Sequence, residues 1–325
     1  MWPRPGKLPE LSANKLILDT DGGVDDAQAL LLLIAHGRTP VAVTTVFGNV
    51  GLDAATDNIL ATLATAGVSV PAHKGADRPL VQKTIDATDI HGEDGLGGAP
   101  RPARVDAPAS DDAIAFLRAS FREAARSGLK VDMLMIGPLT NLALALRTEP
   151  AIAAGIGRLT IMGATVYGRG NVTPAAEFNI FADPEAAEIV FSSAIDMVVV
   201  PWEPCLKHPI SGEAVDALFA GLPASPVRDF SEALARHIRQ GTMARGGADC
   251  LDLVDPLAAA VLLEPGIVTR SLSASIGVSL APGLTRGMTV IDPSGRLGSP
   301  KVTIIEEVDA ERLASLYAVS AAYPS

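Results

Sequence analysis

The chain has 325 residues, 48% of them hydrophobic and 4% aromatic, enough for a large core of closely packed helices and sheet rather than an aromatic-rich sandwich. Its formal charge of −11 argues against nucleic acid or an anionic membrane surface as a partner, though it would not repel a neutral small molecule. Two cysteines, Cys205 and Cys250, with neither a C-x-x-C pair nor a His/Cys cluster, exclude a disulfide framework and a structural zinc site.

Residues 1–14 are polar and Pro-rich and read as a loose lead-in, without the apolar core of a signal peptide. No apolar run approaches the ~18 residues of a membrane span. A soluble, cytoplasmic protein is the expectation. Leu16–Leu18 form a strand-like run, and Ala27–Ile34 a helix-like one that ends near Gly37. A second strand is predicted over 41–46, a helix over 54–66 and a third strand over 68–72. Residues 73–109, rich in Gly, Pro and Asp, read as a long loop of the kind that forms lids and binding surfaces. Ser110 or Asp111 is the expected cap of a helix with apolar positions Ile114, Phe116, Leu117 and Phe121. Strands follow over 131–136 and 159–162, then a Gly-rich loop over 168–174. Asp183-Pro184 and Asp255-Pro256 each read as a helix cap followed by proline. A strand is expected over 197–200, and 211–247 reads as helices carrying Arg236, His237, Arg239 and Arg245. Short strands over 275–280 and 301–305 and a last helix over 310–322 complete the chain. The alternation predicts one α/β domain: an open, mostly parallel sheet flanked by helices, with extra helices and short strands toward the C-terminus.

Polar clusters recur after successive strands. The first is the densest: Asp19, Asp21, Asp25 and Asp26 fall within eight residues, around a Gly-Gly turn between strand and helix. Carboxylates so crowded need protons, a basic partner or a cation, and no Lys or Arg lies between Lys15 and Arg38. Oxygen ligands point to calcium or magnesium rather than zinc. The bland alternative is a solvated acidic turn in which Asp25 or Asp26 caps the helix. Asn49, Asn141, Glu177 and Asn179 follow later strands or a loop, and strand ends in a parallel sheet share one edge. The spacing therefore predicts an acidic site assembled from distant segments.

Asp19-Thr20-Asp21-Gly22-Gly23-Val24-Asp25-Asp26-Ala27 resembles the N-terminal signature of the inosine–uridine-preferring nucleoside hydrolases, which carry proline where this chain has Gly22. Thr44–Asn49, His91–Gly95, Gly137–Asn141, Ala176–Ile180 and Asp255-Pro256 resemble further blocks of that family, in the family's order. The resemblance implies the nucleoside hydrolase fold, a bound Ca2+ and hydrolysis of the N-glycosidic bond of ribonucleosides to free base and ribose. It implies Asp21, Asp26, Asp255 and the Ile136 carbonyl as metal ligands, with Asp21 also the general base. Asp25, Glu177, Asn179 and Asp255 would hold the ribose hydroxyls, and Asn49 and Asn171 would lie near the reacting water and the 5′-hydroxyl. It implies a homodimer or homotetramer.

Two departures stand out. Some family members have a histidine immediately before the aspartate matched here by Asp255, assigned as the acid for the leaving base; this chain has Val254, which has no proton to give. His91, His237, Arg236 and Arg239 are the substitutes considered, each weighed against a surface or loop-ordering role. Pro201-Trp202-Glu203-Pro204-Cys205 replaces an aspartate–threonine loop; Trp202 could stack on a base or plug the core, and Cys205 has no neighbouring base to activate it. Competing readings are a nucleoside- or ribose-binding protein without efficient catalysis, and a haloacid-dehalogenase-like phosphatase with Asp19 as nucleophile.

Overall fold

The computed structural model describes residues 14–324. The predicted lead-in lies outside the described residues except for Asn14, whose side-chain amide donates to Asp132 Oδ1 at 2.9 Å. In chain order the elements are β1 (Lys15–Thr20), α1 (Val24–Ala35), β2 (Ala42–Thr45), α2 (Leu52–Thr65), β3 (Ala72–Lys74), α3 (Thr88–His91), α4 (Ala113–Ser127), β4 (Val131–Met135), α5 (Thr140–Thr148) and β5 (Ile156–Met162). They continue with α6 (Phe178–Ala182), α7 (Pro184–Phe191), β6 (Asp196–Val200), α8 (Trp202–Cys205), β7 (Ile210–Ser211), α9 (Gly212–Gly221), α10 (Pro226–Ala244) and β8 (Cys250–Leu251). Last come α11 (Val254–Leu263), β9 (Val268–Val278), β10 (Thr289–Asp292), β11 (Lys301–Val308) and α12 (Ala310–Ala321).

Nine strands make one sheet in the order β10-β9-β11-β6-β5-β4-β1-β2-β3. All neighbours from β3 to β11 run parallel; β9 turns antiparallel to both β11 and β10. Alternation along β1 sends Leu16 and Leu18 into the core beneath α1, α10, α11 and α12, and Ile17 into the core beneath α4, α5 and α7. Helix α1 is buried on nearly every side, packed among α11, α12 and α2, which is why its sequence is apolar without a polar face. The site-bearing strand β1 is thus central and covered on both faces. No helix among the described residues is long and apolar enough to cross a membrane.

Several local expectations need correction. The third strand is β3 at 72–74, and Val68 packs against the core ahead of it. The predicted long loop begins inside that strand and contains α3. Asp112 caps α4, accepting the Ala115 N–H at 2.8 Å; Ser110 is occupied with His73 and Asp112. Asp255 is not a cap: Leu253 holds that position and Asp255 lies inside the first turn of α11, with its carboxylate freed for other partners. The strand expected at 275–280 runs from 268 to 278, and β10 was not foreseen, because a short edge strand gives too few residues for a period.

The Asp183 cap holds, and it does more than end a helix. Its carboxylate accepts the Ala186 N–H at 3.1 Å, the Leu80 N–H at 3.0 Å and the Thr140 hydroxyl at 2.8 Å, tying the 73–109 segment to α5 and α7. Asp183→Ala should cost about 2–3 kcal/mol, a lost cap plus two orphaned donors, read as a lower urea midpoint with unchanged m-value.

Candidate active site

The acidic turn sits where β1 hands over to α1. Gly22 has φ +67°, a value that a proline ring forbids, so the turn follows a path closed to the proline of the resembling signature. Asp26 is the third residue of α1, and its Oδ2 accepts the Gly23 N–H at 2.8 Å while Oδ1 accepts the Asp21 N–H at 3.2 Å and the Thr20 hydroxyl. The positive end of the helix favours such a carboxylate. Asp21 is fixed from the β2–α2 loop: Oδ2 accepts the Asn49 N–H at 2.8 Å, and the Asn49 amide reaches both Asp21 Oδ1 at 3.0 Å and Asp26 Oδ2 at 2.9 Å. Gly48 permits this approach, since a Cβ there would lie 1.9 Å from Asp21 Oδ2.

The opposite wall comes from the ends of β4 and β5 and the start of α6. The Asn179 amide donates to the Ile136 carbonyl at 3.3 Å and the Met162 carbonyl at 3.2 Å, bridging the two strand ends and leaving the Ile136 oxygen a second lone pair. Glu177 caps α6, accepting N–H groups from Asn179 at 2.8 Å, Ile180 at 3.1 Å and Ala164 at 3.1 Å. Ala164 has φ +78°, a strained conformation for a residue with a Cβ, and it is the one that turns its N–H onto Glu177 and its carbonyl onto the Trp202 N–H. Asp255 arrives from α11.

Carboxylate oxygens of Asp25, Asp26 and Asp255 all lie within 4.8 Å of one another. Asp21, expected as a ligand, is not one of this trio but is held against Asp26 by the shared Asn49 amide; Asp25, expected only at the sugar, is in it. Burial pushes Asp21, Asp26 and Asp255 up, and neighbouring carboxylates push each further. Burial lifts Asp25 to about 6 and, against the backbone N–H groups that the carboxylate accepts, Glu177 to about 7. Asp25 Oδ1 is buried with no hydrogen-bond partner among the described residues. An orphaned carboxylate oxygen in a knot of like charges is what a hard cation would complete, so the donor set fits calcium.

The cluster opens into a cavity of about 540 Å³, room for a small organic ligand. Asp25, Asn49, His91, Ile136, Asn171, Glu177, Asn179, Trp202 and Asp255 line it, which brings together most of the sequence-predicted site residues; Asn171 fixes the start of α6, its Oδ1 accepting the Phe178 N–H at 2.8 Å. Val254 lines it too. His91 Nδ1 accepts the Val24 N–H at 3.1 Å, so it carries no proton and its 3.7 Å approach to Asp25 is not an ion pair. Burial lowers the ring to about 4, leaving it neutral with a proton on Nε2.

His237 does not line the cavity. Its Nε2 meets the Ile90 carbonyl at 2.9 Å and its ring lies against Gly97, so it orders the loop. Arg239 is spent on Asp216 and Asp249, and Arg236 is exposed. Asp19 lies outside the cavity, fully buried under Thr44 and Asn141, which leaves no access for a nucleophile. Cys205 is buried with its thiol donating to the Pro201 carbonyl, and burial drives its pKa up. Trp202 both lines the cavity and packs on the core. Sequence reasoning missed Ile238, Thr242, Arg245 and Asp252 as lining residues. The first three follow the i, i+4, i+7 spacing of one helix face, a signal readable only once that face is known to meet the site.

The sequence matches the family model described as inosine-uridine preferring nucleoside hydrolase over residues 16–315. The pyrimidine-specific ribonucleoside hydrolase RihA of Escherichia coli (strain K12) is 36% identical over 307 residues, spanning 93% of this chain and 96% of that one. A plant nucleoside hydrolase, PpNRh1, superposes with a TM-score of 0.88 at 30% identity, covering 96% of this chain and 100% of its own. A purine-preferring ribonucleoside hydrolase from Gardnerella vaginalis gives 0.86 at 26%, covering 95% and 98%.

Raised carboxylate pKa values mean that the metal-free native state binds more protons than the unfolded chain between about pH 4 and the folded values, near 6 for Asp25 and 7 for Glu177. Stability is therefore greatest at the acid side of that window and is lost as pH rises through it. Thermal melts of chelator-treated protein should show Tm falling from pH 5 to pH 8, and added calcium should restore more at pH 8 than at pH 5.

Proposed function

This chain belongs to the inosine-uridine preferring nucleoside hydrolase family and is a hydrolase acting on ribonucleoside N-glycosyl bonds; from that premise we propose that its reaction is calcium-dependent, with Asp21 as general base. The observation that carries the reading is the convergence of Asp21, Asp25, Asp26 and Asp255 with Asn49, Glu177 and Asn179 on one cavity or its floor at the carboxyl ends of the central strands. Asp21, Asp26, Asp255 and the Ile136 carbonyl would hold the ion, with Asp25 close enough to join them. When bound, the ion supplies charge that neutralises the carboxylates and makes water more acidic.

Asp21 takes the proton of the attacking water; burial, then the charge of Asp26, raise its affinity for a proton above that of an ordinary carboxylate. Asn49 keeps that carboxylate in one orientation through both its backbone and side-chain N–H groups. Asp25, Glu177, Asn179 and Asp255 accept from the ribose hydroxyls, and Asn171 stands by the 5′-hydroxyl. As the C1′–N bond breaks, the sugar becomes oxocarbenium-like, and the acidic floor favours that cation over the neutral substrate. His91 presents Nε2–H toward the leaving base, and Trp202 offers it an aromatic surface. The reading includes a cytoplasmic location and a homodimer or homotetramer.

The test is a panel of ribonucleosides, with free base and ribose measured with and without a chelator. Turnover that calcium restores is expected, as is poor turnover of 2′-deoxynucleosides, which leave a buried acceptor unpaired. Asp21→Asn should lower kcat by about 10²–10⁴ at saturating calcium, and Asp26→Ala should lose the ion in a calorimetric titration. Nucleoside binding with no hydrolysis in the calcium-loaded protein would leave a binding protein instead.

A further inference from the structure

Trp202 and Glu203 follow β6 as Ala164 follows β5, and the two strands are parallel neighbours with Met162 beside Val200. Pairing runs one step past them, from the Gly163 N–H to the Val200 carbonyl at 3.1 Å, and then stops. The next four N–H groups of the chain after β5 need other acceptors. Ala164 donates to Glu177 Oε2 at 3.1 Å, Thr165 to the Thr289 hydroxyl at 2.9 Å, and Val166 and Tyr167 both to Glu203 Oε1, each at 2.8 Å. Glu203 Oε2 is buried with no hydrogen-bond partner among the described residues, so the bonds of this carboxylate all go to that backbone. From the same short helix the Trp202 N–H donates to the Ala164 carbonyl at 3.0 Å. Ala164 itself is held at φ +78°, a conformation that a residue with a Cβ tends to leave, and the bonds to Trp202 and Glu203 on either side of it oppose that. Its N–H fixes one oxygen of Glu177, and the same segment runs on to Gly170 and Asn171 at the cavity.

We infer that Glu203 is a positioning residue for the sugar end of the site: it holds the 164–167 backbone in the strained turn that aims the Ala164 N–H at Glu177, and so fixes a carboxylate that accepts from the ribose. The inference rests on the hydrolase reading above and on the place of Glu177 in it. Glu203 is not among the residues that line the cavity, so it acts through the backbone and through Glu177. Its reach matters more than its charge. A glutamine oxygen at the same distance accepts the same two N–H groups, whereas aspartate, one methylene shorter, draws the acceptor back from both. Glycine at position 164 takes a positive φ without strain, so the turn then needs less support from Glu203.

Steady-state kinetics on 4-nitrophenyl β-ribofuranoside at saturating calcium tests this, because nitrophenolate leaves without an acid and the rate reports on the sugar end. Glu203→Asp should lower kcat/KM by about 10- to 100-fold, the scale of a displaced positioning group, while Glu203→Gln should keep most of the rate. In a Glu177→Ala background the same Glu203→Asp change should cost less than about threefold, since the group it positions is gone. Adding Ala164→Gly to Glu203→Asp should recover part of the loss. Losses of equal size with and without Glu177, no recovery through Ala164→Gly, or no loss from Glu203→Asp would overturn the role of Glu203 while leaving the hydrolase reading intact. A wild-type protein inactive on the riboside and on the ribonucleoside panel, with calcium bound, would sink both.

Discussion

Carboxylates crowded into a dry site repel one another. Two unit charges ~4 Å apart cost about 4 kcal/mol at an effective dielectric of about 20, and here Asp25, Asp26 and Asp255 share a space 4.8 Å across with Asp21 alongside. Much of the architecture around them answers that repulsion. The start of α1 turns its free N–H groups onto Asp26, and Asn49 splits its donors between Asp21 and Asp26. Asp255 receives no such help among the described residues: burial, then the charges of Asp25, Asp26, Asp21 and Glu177, drive its pKa up. The knot is thus compensated on the β1–α1 side and open on the α11 side, an imbalance that suits a bound cation and a substrate that becomes cationic as it reacts.

The sheet makes this arrangement possible. Because β2, β1, β4 and β5 run parallel, their carboxyl ends deliver Asn49, Asp21, Ile136 and Met162 to one edge, and Asn179 ties two of those ends together through backbone carbonyls. Burial of α1 on nearly every side fixes the direction of the carboxylates it starts with. Among the described residues Ala164 is the one non-glycine with a positive φ, and its left-handed backbone presents an N–H to Glu177. The wall from α10 is different in character, partly exposed and carrying the cation Arg245.

Much of this was legible in the chain because it depends on local spacing. An apolar run, four aspartates and two glycines give strand, turn and helix, and Asp183-Pro184 gives a cap whose geometry holds. Where local rules misled, a tertiary contact had outbid them. Asp255 precedes a proline as a cap would, yet it is drawn into the helix by the site it serves. His237 has the chemistry of a leaving-group acid, but its ring is taken by the Ile90 carbonyl. Asp19 has the neighbours of a phosphatase nucleophile, but Thr44 and Asn141, one from the adjacent strand and one from α5, seal it in.

The sequence by itself determined the alternating α/β plan, the central strand, the family and the segments that reach the site, since periodicity and motif order are properties of neighbours along the chain. Only the tertiary structure decided which carboxylates converge, that His91 is a neutral donor while His237 is a loop tie, and that Arg245 rather than Arg239 faces the cavity. Those choices depend on the rotation of α10 about its axis and on distances between segments far apart in sequence, and no local pattern encodes either.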